Sequence, residues 1–116
     1  MNLLTKQQIL SADDRAVEDI EVKEWGGAVR VSTMSASDRD KWEQDTYGGE
    51  ATKTEDFRAR FVSLCLVNEK GARLFTDKEV AQLGGKSAAA LDRVFRAAQR
   101  INALGVVEAE AAEKKS

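Results

Sequence analysis

Between residues 17 and 33 the chain alternates apolar and polar side chains at a period of two. Ile20 and Val22 are separated by Glu21, and Val29 and Val31 by Arg30. That period belongs to a half-buried strand. Gly26-Gly27 stands between the two runs and tolerates the positive φ of a primed two-residue turn, so the pattern predicts a β-hairpin. With that turn Trp25 faces Ala28, Glu24 faces Val29, Val22 faces Val31 and Ile20 faces Thr33. Ile20, Val22, Val29 and Val31 then share one face, and Lys23 and Arg30 share the other. A slip by one residue would split the apolar set.

Elsewhere the spacing is helical. Thr5 is placed to cap a short helix through about Leu10 or Ser11, with Ile9 and Leu10 apolar. Ser35 or Ser37 caps a polar helix, DRDKWEQD, that ends before Tyr47-Gly48-Gly49. Trp42 is its only large apolar residue. The segment YGGEATKT, 47 to 54, is the most loop-like and is expected to be mobile. Thr54 then caps a helix from Glu55 to about Val67. Phe57, Phe61, Leu64 and Cys65 line one of its faces, while Val62, Leu66 and Val67 widen the apolar surface, which predicts a central position. NEKG, 68 to 71, is a turn. Thr76 and Glu79 have capping-box spacing, with Phe75 and Val80 as a hydrophobic staple. That short helix stops at Gly84-Gly85. Ser87 caps the last helix, Ala88 to about Leu104, with Gly105 as its stop. Leu91, Val94, Phe95, Ala98 and Ile101 form its stripe.

The expected fold is therefore α+β and mostly helical: a small helical domain with one N-terminal β-hairpin, about residues 17–33, packed on three to five helices. Residues 1–105 are expected to form one globular domain. Residues 106–116, VVEAEAAEKKS, have little to pack and are expected to be a frayed or flexible tail.

Composition narrows the chemistry. The 116 residues carry a net charge of −2, which argues weakly against a dedicated nucleic-acid binder. Histidine is absent, which removes the commonest general base, the Cys–His dyad and histidine-ligated metals. The single cysteine, Cys65, forms no internal disulfide and suits a reducing compartment. No apolar run is long enough to span a bilayer. The opening MNLLTKQQIL lacks the basic region and long apolar core of a secretory signal, so none is expected.

Several local patterns invite a sharper reading. Gly85-Lys86-Ser87 before a helix has the ending of a phosphate-binding loop, but that loop needs a glycine where Val80 stands, and an upstream strand where a helix is read. A turn capped by Ser87 explains it better. The same region imitates a helix-turn-helix, with Ala81, Gly85, Leu91 and Val94 at suitable spacings. The helix that would read bases, however, begins Ala88-Ala89-Ala90, and methyl groups cannot read donors and acceptors in a major groove. Arg93, Arg96 and Arg100 form a stripe that is either phosphate-touching or, with more weight, a solvated or partner-facing edge, with Glu108, Glu110 and Glu113 as nearby carboxylates. Cys65 reads as a buried, inert thiol. Asp13-Asp14, Glu18-Asp19 and Asp38/Asp40 pair carboxylates, but charged residues make up 33% of the chain, and chance adjacency accounts for such pairs. Trp25, beside the glycines, either covers the hairpin end or stands as an exposed anchor. No catalytic residue, metal ligand or cofactor site is assigned, and the chain is not expected to be an enzyme.

The order of segments carries a resemblance. LLTKQQIL is followed by the hairpin EVKEWGGAVRVSTM, then SASDRDKWE, FRARFVSLCLVNEKGARLF and TDKEVAQLGGKSAAALDRVFRAAQRINALG. Over residues 2 to 105 this resembles the tail assembly chaperones of long-tailed (siphovirus-type) bacteriophages and prophages. The W-G-G-x-V-R-V hairpin and the LVNEKGARLF-TDKEV block leading into K-S-A-A-A-L-D-R-V-F are the most specific parts. The resemblance implies a non-enzymatic protein of the host cytoplasm, not retained in the mature virion. It implies that the chain binds and solubilises the tape measure protein during tail morphogenesis and self-associates. It also implies a longer form made by ribosomal frameshifting, whose extension recruits the tail tube protein; Glu113-Lys114-Lys115 is compatible with an A-rich slippery stretch. Nothing membrane-bound is implied. The alternative function is a small helix-turn-helix-like regulator that binds nucleic acid.

A chaperone of this kind needs an apolar surface for apolar helices. The expected partner-binding residues are Trp25 and Trp42 as anchors, with Ile101 at the end of the last helix's stripe and Ala90, Ala97 and Leu104 extending its flank. The other reading of that flank is that it closes the monomer's own core or a self-association contact. Arg93, Arg96 and Arg100 are the candidate charged partner face.

Overall fold

The computed structural model describes residues 2–48 and 56–115, with the side chains of the last helix described as far as Ala103. Among the described residues the elements run α1 (Lys6–Ser11), β1 (Val17–Val22), β2 (Gly27–Ser32), α2 (Ala36–Tyr47), α3 (Phe57–Cys65), β3 (Leu66–Val67), α4 (Val80–Gly84) and α5 (Ala88–Lys115). The fold is mostly helical α+β, as the sequence predicts.

The hairpin forms with its apolar face intact but in a different register. Val22 pairs with Gly27, Ile20 with Val29 and Glu18 with Val31. Lys23–Trp25 wind into a 3₁₀ turn, and Gly26 alone takes the left-handed conformation, at φ 77°. The connection is thus four residues, not two, and Gly27 is already strand. Three residues leave the first strand and Gly27 joins the second, so the pairing shifts by four positions, an even number, and Ile20, Val22, Val29 and Val31 stay on one side. Val22 and Val31 are buried in the core; Ile20 and Val29 pack at its edge.

The second departure is at the end of α3. The expected helix to Val67 stops at Cys65, and Leu66 and Val67 pair with Val31 and Arg30 as the third strand of an antiparallel sheet ordered β1-β2-β3. A helix and a buried strand share the apolar signature of FVSLCLV, so periodicity cannot separate them over so few residues. What ends the helix is a tight turn. Asn68 Oδ1 accepts hydrogen bonds from the Lys70 and Ala72 amides, and Gly71 takes φ 85°. The chain doubles back so that the Leu74 amide reaches the Leu66 carbonyl at 3.0 Å.

The caps follow the sequence closely. Thr5 and Gln8 form a capping box on α1, Ser35 rather than Ser37 caps α2 through the Asp38 amide, and Thr76 and Glu79 form their box. Ser87 Oγ accepts from the Ala90 amide. Thr54 and the rest of the predicted loop at 49–54 lie outside the described residues, and α3 starts instead from Asp56 in the left-handed region, at φ 52°. The helix α5 does not stop at Gly105 but is assigned through Lys115.

The core sits where α3 crosses α5 beneath the inner face of the hairpin. Val22, Val31, Val62, Cys65, Leu66, Val94 and Ala98 are buried together there. α2 joins through Trp42, whose ring meets Phe61 edge-on at 5.0 Å and Phe57 at 5.4 Å; Phe95 of α5 completes the aromatic cluster. Such pairs add specific geometry to the area they bury. Gly84 lets α4 approach the start of α3, because a Cβ there would run into the Asp56 carboxylate and lie 3.7 Å from Ala59 Cβ.

Candidate functional site

Cys65 and the adjacent carboxylates Glu18-Asp19 are engaged within the fold. Cys65 is buried, and burial pushes its thiol up to about 12, the Asn102 amide at 3.5 Å pulling the other way. A neutral, enclosed thiol is a poor nucleophile. Glu18 pairs with Arg100 and Asp19 with Arg30, so the adjacent carboxylates Glu18-Asp19 point into separate ion pairs. Among the described residues no group of three or more histidine, cysteine or carboxylate side chains is arranged to hold a metal.

Lys86 and the first turn of α5 line a cleft of about 600 Å³ together with Phe57, Arg58, Asp92 and Arg96. Its two arginines are already committed: Arg58 donates to Asp92 Oδ1 at 3.2 Å and Arg96 to Asp92 Oδ2 at 2.8 Å. Asp92 engages both guanidinium groups, and with Asp56 and Lys86 also lining the cleft two carboxylates stand against three cations, which leaves a weak field for a phosphate.

The arginine stripe of α5 is a set of ties within the chain. Arg93 binds Glu24 in the hairpin turn, Arg100 binds Glu18 on β1, and Arg96 binds Asp92 one helical turn back. The carboxylates expected near them, Glu108, Glu110 and Glu113, lie where side chains are not described. The ties to β1 and the turn hold the hairpin along α5, and the Arg93 partnership keeps the Glu24 carboxyl below its usual range.

The candidate partner-binding residues are scattered. Trp25 is half-buried and packs against the core from the hairpin turn, while Trp42 sits in the aromatic cluster at the other side of α3. Among the described residues the buried Trp42 Nε1 has no hydrogen-bond partner. Ala90 and Ala97 are 0% and 4% exposed, so in this fold they are interior positions of the chain itself. Ile101 is half-buried at the core's edge. The Leu104 side chain lies outside the described residues.

The exposed apolar surface is elsewhere. Leu3, Leu4, Ile9 and Leu10 are 91%, 64%, 57% and 74% exposed, and α1 buries no residue. A small-residue stripe on a helix drew attention to α5, but α5 is paired on that side by α3 and the hairpin. The signal for the N-terminal segment was present in LLTKQQIL: four large aliphatic residues on a stretch too short to bury them itself.

The sequence missed one polar residue that organises this region. Asn102 accepts from the Met34 amide at 2.8 Å and donates to the Ala98 carbonyl at 2.7 Å, joining α5 to the segment that follows β2. No helix is long and apolar enough to cross a membrane among the described residues.

No protein-family model matches the chain, and no curated protein matches its sequence. Among solved structures, the tail assembly chaperone of bacteriophage HK97 is similar, with a TM-score of 0.61 over 82% of this chain and 90% of that one, at 15% sequence identity. The two chains share a fold over nearly their full lengths.

Proposed function

We propose that this chain is a tail assembly chaperone of a long-tailed phage or prophage, acting by binding and not by catalysis. The observation that carries the reading is the fold shared with the HK97 tail assembly chaperone across 90% of that protein. The order of segments in the sequence, which resembles the same family, supports it. The partner we assign is the tape measure protein, held in solution in the host cytoplasm while the tail tube forms; the chain is left behind when the virion matures.

The chemistry of such a task is apolar and repetitive. A tape measure chain offers long helices with unpartnered apolar faces. The end of α5 around Ile101 and Leu104 is the proposed contact, Trp25 and Trp42 lying apart from it against the core, and such a contact contributes only about 25 cal/mol per Å². Strength then comes from several copies on one long chain. We assign the chain as the short member of a frameshift pair whose longer form brings the tail tube protein.

Co-expression tests the reading. A tape measure protein co-expressed with the chain is expected to stay in the supernatant with it and to precipitate without it. Equal precipitation in both cases overturns the reading. Sequencing through the codons of Glu113-Lys114-Lys115 tests the frameshift: no slippery heptamer and no overlapping frame removes it.

A further inference from the structure

The three strands of the sheet are anchored by different means. β2 and β3 are fixed by burial and by uncharged hydrogen bonds: Val31, Ser32, Leu66 and Val67 are buried, and Asn102 of α5 holds the Met34 amide just beyond β2 at 2.8 Å. β1 is an edge strand, and of its six residues only Val22 is buried. The segment before it adds no burial of its own, since α1 buries no residue. Beyond the ladder to β2 and the packing of Ile20, Val22 and Trp25, β1 and its turn are tied down by charge. Glu18 pairs with Arg100, Asp19 with Arg30 and Glu24 with Arg93. All six of these side chains are 34% exposed or more, so salt reaches every pair.

Two of these ties close over one strip of α5. Ala90, Arg93, Ala97 and Arg100 follow one another at steps of three and four, so they share a side of the helix, with Ile101 one turn beyond Ala97. Arg93 and Arg100 reach the hairpin from this strip, and Ala90 and Ala97 beside them are buried. The other side of α5 faces α3: Phe95 meets Phe61, and Asn102 reaches the Cys65 sulfur. The turn that ends β1 runs into Gly26, at φ 77°, and Gly27; a Cβ on either would meet nothing within 4 Å. The chain therefore has room to pivot there.

We propose that β1 and its turn, residues 17–25, form a charge-held strap that swings about Gly26-Gly27 and uncovers the Ala90–Ala97 strip of α5 while the rest of the fold stays closed. Opening gives up the packing of Ile20, Val22 and Trp25. Val31, Val62, Leu66, Val94 and Ala98 stay together, because β2 remains paired with β3 and tied to Asn102. A segment with so few buried apolar residues opens at less cost than the whole chain. Ionic strength sets how often it does so, since the pairs that close the strap are screened while the apolar core is not. The strap gives a physical reason for a small-residue flank that reads as a contact surface in the sequence and lies covered in the fold. The opening belongs to this chain alone and does not depend on the chaperone reading.

The full-length A97C variant tests it, with Cys65 as the internal reference, because Cys65 is enclosed on the α3 side of α5. Ellman's reagent should label the introduced thiol at least ~10-fold faster than Cys65. The ratio of the two rates should rise about three- to tenfold between ~0.05 and ~1 M salt. In the same background R93Q/R100Q should raise the ratio at low salt and blunt its response to added salt. Hydrogen exchange on the wild-type chain gives a second reading with no new side chain: β1 amides should lose protection as salt is added, while those of α3 and of the β2–β3 ladder keep theirs. Equal labelling of the two thiols, a ratio indifferent to salt and to R93Q/R100Q, or β1 amides that exchange only together with α3 and β3 overturns the proposal. Since these measurements need no partner, their failure leaves the co-expression result to be judged separately.

Discussion

Arg93 on α5 donates two hydrogen bonds, 2.7 and 3.0 Å long, to the carboxylate of Glu24, which lies 69 positions earlier in the hairpin turn. The pair exists because the turn is a 3₁₀ segment: in the two-residue turn that Gly26-Gly27 suggests, Glu24 would be a strand residue opposite Val29. Fork-to-fork geometry of this kind is specific as well as attractive. Both side chains are partly exposed, so the stability effect is small. We expect R93E alone to lower Tm by at most a few degrees, and the double swap R93E/E24R to restore it. A swap that is no better than the single variant would show that the pair does not hold the hairpin.

Acid should loosen the chain in a defined window. Hydrogen bonding from Arg93 lowers the Glu24 carboxyl, Arg30 lowers Asp19, and Lys41 followed by Arg73 lowers Asp77. A depressed carboxylate contributes stability above its unfolded value and loses it as pH falls through the folded value. Tm is therefore expected to be flat from pH 5 to 8 and to fall below about pH 4.5. The fall should shrink in ~1 M salt, where such pairs are screened. A Tm independent of pH down to ~3 would contradict these pairings.

At the alkaline end Cys65 sets a second limit. Its thiol is raised to about 12 by burial, so the unfolded chain loses the proton first. Stability is present below the unfolded value near 9 and drains as pH rises towards 12, by on the order of 4 kcal/mol. The expected signature is an alkaline decline that is reduced in C65A. Ellman's reagent should label the thiol only as fast as the chain opens; immediate labelling at pH 8 would show an accessible sulfur.

Asn102→Ala removes the acceptor of the part-buried Met34 amide. Leaving that donor unpaired is expected to cost about 1–3 kcal/mol. Denaturant titration reads the loss. Asn102→Asp keeps an acceptor for Met34 and should recover part of it, which a purely steric role would not predict.

Leu66→Ala tests the third strand. The side chain is 1% exposed and is enclosed by the shared core. Truncation should cost about 2–5 kcal/mol through lost burial and the cavity left behind. The same substitution at Leu74, outside the core, should have little effect on the monomer's unfolding midpoint.

Much of the local structure was written plainly. Thr5, Ser35, Thr76 and Ser87 cap helices because a side-chain oxygen can satisfy a helix's first free amides without help from the rest of the fold. The candidate site was harder to read. Ala90 and Ala97 were legible as a small-residue flank, but a flank looks the same whether a partner or the chain's own hairpin covers it.

The sequence by itself determined the apolar face of the hairpin, the caps and the α3 and α5 stripes, because each depends on neighbours a few positions apart. Tertiary structure decided the hairpin register, the conversion of Leu66–Val67 from helix to strand, and the pairing of Arg93 and Arg100 with Glu24 and Glu18. These last are settled by which surfaces meet after the chain has folded. Contact between residues far apart in sequence carries no period along the chain from which it can be read.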